Sequence, residues 1–130
     1  MNDKPSDIAH GIADELAACG VKLVASLPDN WLTGVIDALD RDQRFVHIPV
    51  NREESAIGLC SGAYMGAMGS AALMGASGFM TVIYAITKIN YTYEIPLFLM
   101  LTLRAYERGE REMAVGPVEA WIAPYRAVRL

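Results

Sequence analysis

Residues 96–103, PLFLMLTL, carry one polar side chain in eight positions. A strand built from such a run has no polar face, so it must be covered on both sides. That is the situation of a strand inside a parallel sheet. Three shorter runs share the character: VKLVASL at 21–27, FVHIPV at 45–50 and SAALM at 70–74. Between them lie segments of helical spacing. Residues 6–19 repeat Ile8, Ile12 and Leu16, with Ser6 placed to cap the start and Gly20 to stop the end. Residues 31–39 carry Trp31, Leu32, Val35, Ile36 and Leu39. Two further helices are predicted at 53–68 and 79–91, the second entered through a tight small-residue turn at 75–78. Strands alternating with helices predict an α/β chain, three-layer α/β/α with a mainly parallel sheet. The whole chain, 1–130, reads as one domain.

In such sheets ligands bind beyond the carboxyl ends of the strands. Three predicted strands end in Pro28-Asp29-Asn30, Asn51-Arg52-Glu53 and Ala76-Ser77-Gly78, and a fourth ends near Arg104. Glu53 and Glu54 open a helix that is otherwise almost wholly apolar. Acids in a first turn complement the positive end of the helix dipole. One of them, at the sheet's carboxyl edge, also has the placement of a functional group. Asp29 and Asn30 have two readings, as caps of the next helix or as pocket residues. Arg104 is either a solvated loop charge or a pocket residue. Residues 104–112 read as a charged loop, and 118–130 as a short helix around Trp121 with an extended end.

The hydrophobic fraction of 53% is high for a soluble domain, and charged residues make up 20%. No apolar run reaches the roughly 18–20 residues that span a bilayer. The polar N-terminus lacks a signal-peptide core, so the expectation is a cytoplasmic protein with no membrane partner. The excess apolarity then belongs to a subunit interface. The small residues at 56–66, several of them glycine, fit close approach of another backbone. Net charge is −4 and no basic patch stands out, which argues against nucleic acid. Cys19 and Cys60 read as buried free thiols, His10 as an exposed helix residue and His47 as a core or an active-site residue. No phosphate loop, dinucleotide fingerprint, zinc spacing or nucleophile elbow is present. What remains is at most half of an active site.

Arg52-Glu53-Glu54, followed by Gly58, Cys60, Gly62, Ala63 and Tyr64, resembles the pyrimidine-binding domain of thiamine diphosphate enzymes. The glutamate-to-glycine interval of nine positions singles out Glu53 over Glu54. Ser26-Leu27-Pro28-Asp29, His47-Ile48-Pro49-Val50, Ala72-Leu73-Met74 before Ser77-Gly78, and Ile95-Pro96-Leu97 extend the match over about residues 12–104. It is nearest to sulfopyruvate and phosphonopyruvate decarboxylases. The resemblance implies the thiamine diphosphate-binding fold and a pyrimidine-binding (alpha) subunit of a two-chain 2-oxo acid decarboxylase. It implies that Glu53 hydrogen-bonds N1′ of the cofactor's aminopyrimidine and shares a proton with it. Ser77, Gly78 and Phe79 become cofactor contacts, and Asp29, Asn30 and Arg104 contacts to a small anionic 2-oxo acid. This chain lacks the family's Gly-Asp-Gly metal motif. A separate diphosphate-binding beta subunit is therefore expected to hold Mg²⁺ and the diphosphate, in an α2β2 or larger assembly. Gly75-Ala76, Thr81 and Arg104-Ala105 depart from the residues usual in the family. A non-catalytic binding or regulatory subunit on the same fold is the alternative, and a structural flavodoxin-like monomer a third reading.

Overall fold

The computed structural model describes residues 5–102. Its elements run α1 (Pro5–Ala18), β1 (Val21–Ser26), α2 (Thr33–Arg41), β2 (Val46–Pro49), α3 (Glu53–Met65), β3 (Gly69–Gly75), α4 (Ala76–Phe79), α5 (Ile83–Ala85) leading into a π-helical stretch (Ile86–Tyr91), and β4 (Leu99–Thr102). The four strands form one sheet in the order β2-β1-β3-β4. Every pairing is parallel. The expectations for residues 104–130, including Arg104, lie outside the described residues.

Strand alternation sends side chains to two apolar layers. Leu23, Ala25, Ala72 and Met74 face α3 and the helices after β3, packing with Ile57, Cys60, Phe79 and Val82. Val24, Ala71 and Leu73 face α1 and α2, packing with Ala9, Ala13, Leu16, Val35 and Leu39. These are the three layers that the sequence calls for. A register irregularity between Val21 and Leu23 puts their side chains on opposite faces, where strict alternation would put them on the same one.

Several local expectations change. α1 begins at Pro5, so Ser6 lies within its first turn and its hydroxyl reaches Asp7 instead of capping. The buried stripe of α1 is Ala9, Ala13 and Leu16, while Ile8 is exposed. Small side chains let the helix sit close to the sheet. α2 starts at Thr33, two residues later than expected, because Asp29 first closes a turn: its carboxylate accepts the Trp31 N–H and its carbonyl the Leu32 N–H. The helix expected at 79–91 is broken. Thr81 returns both its N–H and its hydroxyl to the Gly78 carbonyl, which ends α4 after one turn. Further on, Thr87 bonds back to Ile83, and Thr92 to Thr87, five residues before it, in a π-type spacing.

β2 lies at one edge of the described sheet and ends in Pro49. The next residue, Val50, donates its N–H inward to the Ser26 carbonyl. Alternate N–H groups point to opposite sides of a strand, so the missing N–H of Pro49 belongs to the outer side, where proline costs no ladder bond.

Cys60 is buried, as expected, and burial pushes its thiol up. Cys19 is not: it follows the last residue of α1 and is exposed. Thiol labelling should therefore modify Cys19 in the folded chain and Cys60 only in denaturant. Gly69 stands beside the Gly20 carbonyl, where a Cβ would collide with backbone. Gly69→Ala should cost about 1–3 kcal/mol in denaturant unfolding, as overpacking does elsewhere.

Candidate active site

The parallel arrangement brings the ends of β1, β2 and β3 to one edge. There an open cleft of about 260 Å³ is lined by Leu27, Pro28, Asp29, Asn30, Glu53, Gly75, Ser77 and Gly78. The structure thus joins segments that are far apart in sequence, from Leu27 to Gly78.

Glu53 is the first residue of α3, and Arg52 before it is extended with no side-chain cap. The two adjacent acids part company here. Glu54 is exposed, with its carboxylate 3.4 Å from Arg52 Nε. Glu53 is half-buried and turns into the cleft. Its side chain lies across the bare α-carbon of Gly78, so that a Cβ built on Gly78 would overlap Glu53 Cγ, Cδ and Oε1. Gly78 is itself buried in α4. Only glycine leaves room for the carboxylate at this point.

A second bare α-carbon organises the other side. A Cβ on Gly75 would stand 2.9 Å from Asp29 Oδ2, 3.7 Å from Thr102 Oγ1 and 3.8 Å from Ser77 Oγ. Polar groups from the β1–α2 loop, from α4 and from β4 therefore converge on Gly75. Asp29 closes the turn before α2 without capping that helix, whose N-cap Leu32 has no side-chain cap hydrogen bond, and it also lines the cleft. Asn30 and Ser77 are exposed at the rim. Phe79 does not line the cleft. Its ring is 3% exposed and packs in the apolar layer under α3, because the turn of α4 points it back to the sheet.

Gly75 and Thr102 escaped the sequence reading. Thr102 pairs with Gly75 across β3 and β4, and its hydroxyl is buried without a hydrogen-bond partner among the described residues. The available signal was that it is the single polar residue of PLFLMLTL.

The chemistry of the cleft is polar and acidic. Two carboxylates, the Asn30 amide and the Ser77 hydroxyl line it, and among the described residues no Lys or Arg does. Its volume is below the roughly 300 Å³ at which pockets begin to enclose whole small ligands. Among the described residues no group of His, Cys, Asp and Glu is arranged to hold a metal ion.

No protein-family model matches the chain. Individual proteins do. Over 102 residues, 78% of its length, it is 38% identical to a sulfopyruvate decarboxylase subunit alpha of Methanococcus maripaludis, covering 60% of that protein. The counterpart in Methanocaldococcus jannaschii is 32% identical over 111 residues, 85% of this chain and 65% of that protein. The chain is a relative of the sulfopyruvate decarboxylase alpha subunits. It spans about 60–65% of the length of these two. A Methanosarcina acetivorans protein named sulfopyruvate decarboxylase is 28% identical over 99 residues, 75% of this chain but 25% of that longer protein. No described helix of this alpha-subunit relative is long and apolar enough to cross a membrane.

Gly78→Ala should push the Glu53 side chain out of its place in the cleft. The flexible carboxylate can swing away, so the unfolding free energy should change by about 1 kcal/mol or less. A crystal structure of the variant and a denaturant titration check the two halves of this expectation.

Proposed function

We propose that this chain is the pyrimidine-binding alpha subunit of a two-chain, thiamine diphosphate-dependent decarboxylase acting on a small anionic 2-oxo acid, with sulfopyruvate the leading substrate. The observation that carries the reading is the Glu53 carboxylate, held at the sheet's carboxyl edge over the bare α-carbon of Gly78. When bound, the coenzyme would supply an electron sink for loss of CO₂ from the 2-oxo acid. Glu53 would accept a hydrogen bond from the aminopyrimidine ring and hold the proton that passes between ring and carboxylate. Gly78 would keep the carboxylate close to the ring plane. The rim residue Ser77 would orient the ring, and Asp29 and Asn30 would face the substrate.

The acidic lining also says what this chain leaves to others. A cleft with Asp29 and Glu53 repels a diphosphate and an anionic substrate alike. The balancing cations, Mg²⁺ among them, therefore belong to a partner beta subunit, with Arg104 of this chain a further candidate. Two observations support an incomplete site. The cleft is open and small, and the Methanosarcina relative carries the matching segment as a quarter of a longer chain named as the whole enzyme. The relatives' names give no support to a non-catalytic role.

The test is turnover of sulfopyruvate by the chain co-expressed with its diphosphate-binding partner. Glu53→Gln should leave assembly intact and lower kcat by about 10²-fold or more, the usual range for loss of a positioned proton-transfer group. Glu54→Gln should stay close to wild type. Calorimetry should show weak binding of thiamine diphosphate to the isolated chain and tight binding to the complex. A fully active Glu53→Gln complex overturns the assignment.

A further inference from the structure

Outside the cleft, one chain of hydrogen bonds stands apart. His47 Nε2 is 2.7 Å from Ser26 Oγ, and His47 Nδ1 is 2.7 Å from Asp40 Oδ1. The imidazole side chain is 6% exposed, and Ser26 is 2% exposed. Asp40, by contrast, is a surface residue of α2 with its side chain 64% exposed. The constellation has the residue types of a nucleophilic triad. Ser26, however, is sealed between strand and helix, and nothing the size of an acyl substrate can reach its hydroxyl. Another role is required.

The geometry fixes the ring's hydrogens. A carboxylate only accepts, so Nδ1 carries the hydrogen that Asp40 receives. In the neutral ring Nε2 is then the acceptor, and Ser26 donates its O–H to it. The ring thereby cross-links β2 to β1 at a particular place. Ser26 is the last residue of β1, and Leu27, Pro28 and Asp29 of the cleft come directly after it. His47 lies in β2, whose continuation through Val50 delivers Glu53. Besides the side-chain link, the two ends share the Val50 N–H bond to the Ser26 carbonyl. β2 is only four residues long and lies at the edge of the described sheet, so its backbone ladder to β1, from Leu23–Val46 to Ser26–Pro49, comes from one side alone among the described residues.

We propose that His47, as its Nδ1–H tautomer, is a positioning residue that locks β2 onto β1 through Ser26 and so sets the placement of Glu53 relative to Asp29. The proposal rests on the reading of Glu53 as the coenzyme's proton-transfer partner. Displacements of about 1 Å in such groups cost up to about 10²-fold in rate, which is the scale on which a loosened edge strand acts.

Two substitutions split the ring's two contacts. A glutamine amide reaches the position of Nε2, and an asparagine amide that of Nδ1. In the complex with the partner subunit, His47→Gln should retain most of kcat. His47→Asn and Ser26→Ala should each lose about tenfold or more, with the substrate KM little changed. Long-range ¹H–¹⁵N spectra of the wild-type chain at alkaline pH should show the Nδ1–H tautomer, a readout independent of turnover. An Nε2–H tautomer overturns the proposal. So does a His47→Asn complex as active as wild type beside an inactive Glu53→Gln, or activity losses that track melting temperature equally across the three variants. A fully active Glu53→Gln complex is the separate failure, that of the coenzyme reading.

Discussion

Parallel pairing of β1 with β3 is the constraint on which the rest of the structure depends. These two strands are deeply buried: Val24, Ala25, Ala71, Ala72, Leu73 and Met74 are all 0% exposed. In register, Val24 stands beside Ala71 and Ala25 beside Ala72. Such small neighbours leave both faces of the sheet flat enough for helices to approach. Because the strands run in the same direction, the chain must leave each of them at the same edge. The loops beyond them have no choice but to meet there. The cleft is thus a consequence of strand direction, and its chemistry a consequence of which residues happen to come after each strand.

The loops at this edge are unusually sparing of side chains. Gly75 and Gly78 present bare α-carbons, and the carboxylates of Asp29 and Glu53 occupy the space a Cβ would take. The two acids are placed by what is missing beside them as much as by their own elements. This also explains why the site reads as incomplete. Carboxylates, an amide, a hydroxyl and open backbone line the cleft, and no Lys or Arg does so among the described residues. Under the function proposed above, division of labour between two protein modules would suit such a surface.

The layers of the fold were legible in the sequence because four apolar runs leave no alternative to a sheet covered on both faces. The gathering of Asp29, Glu53 and Ser77 was legible for the same reason, since each comes just after a strand. Four kinds of detail were not. Hydrogen bonds from threonine side chains broke the helix expected at 79–91, and Thr81 carries no periodic signal that announces this. The rotation of α1 put Ala9 and Ala13 fully against the sheet, left Ile12 at the margin of that layer and turned Ile8 outward. Phe79 comes after Ser77 and Gly78 in sequence, but one helical turn is enough to take its ring from the cleft to the core. The partners of His47 were out of reach as well: Ser26 and Asp40 lie 21 and 7 residues away, and only the fold joins them.

The proline that closes β2 has an effect beyond the ladder it spares. An edge strand with free N–H and C=O groups invites pairing by another chain, and β2, at the edge of the described sheet, also exposes Val46. Pro49 offers no donor on its outward side, and the strand is four residues long. An incoming strand would find a broken row of bonds. The edge nearest Glu53 is therefore protected against aggregation by the residue that also turns the chain toward the site.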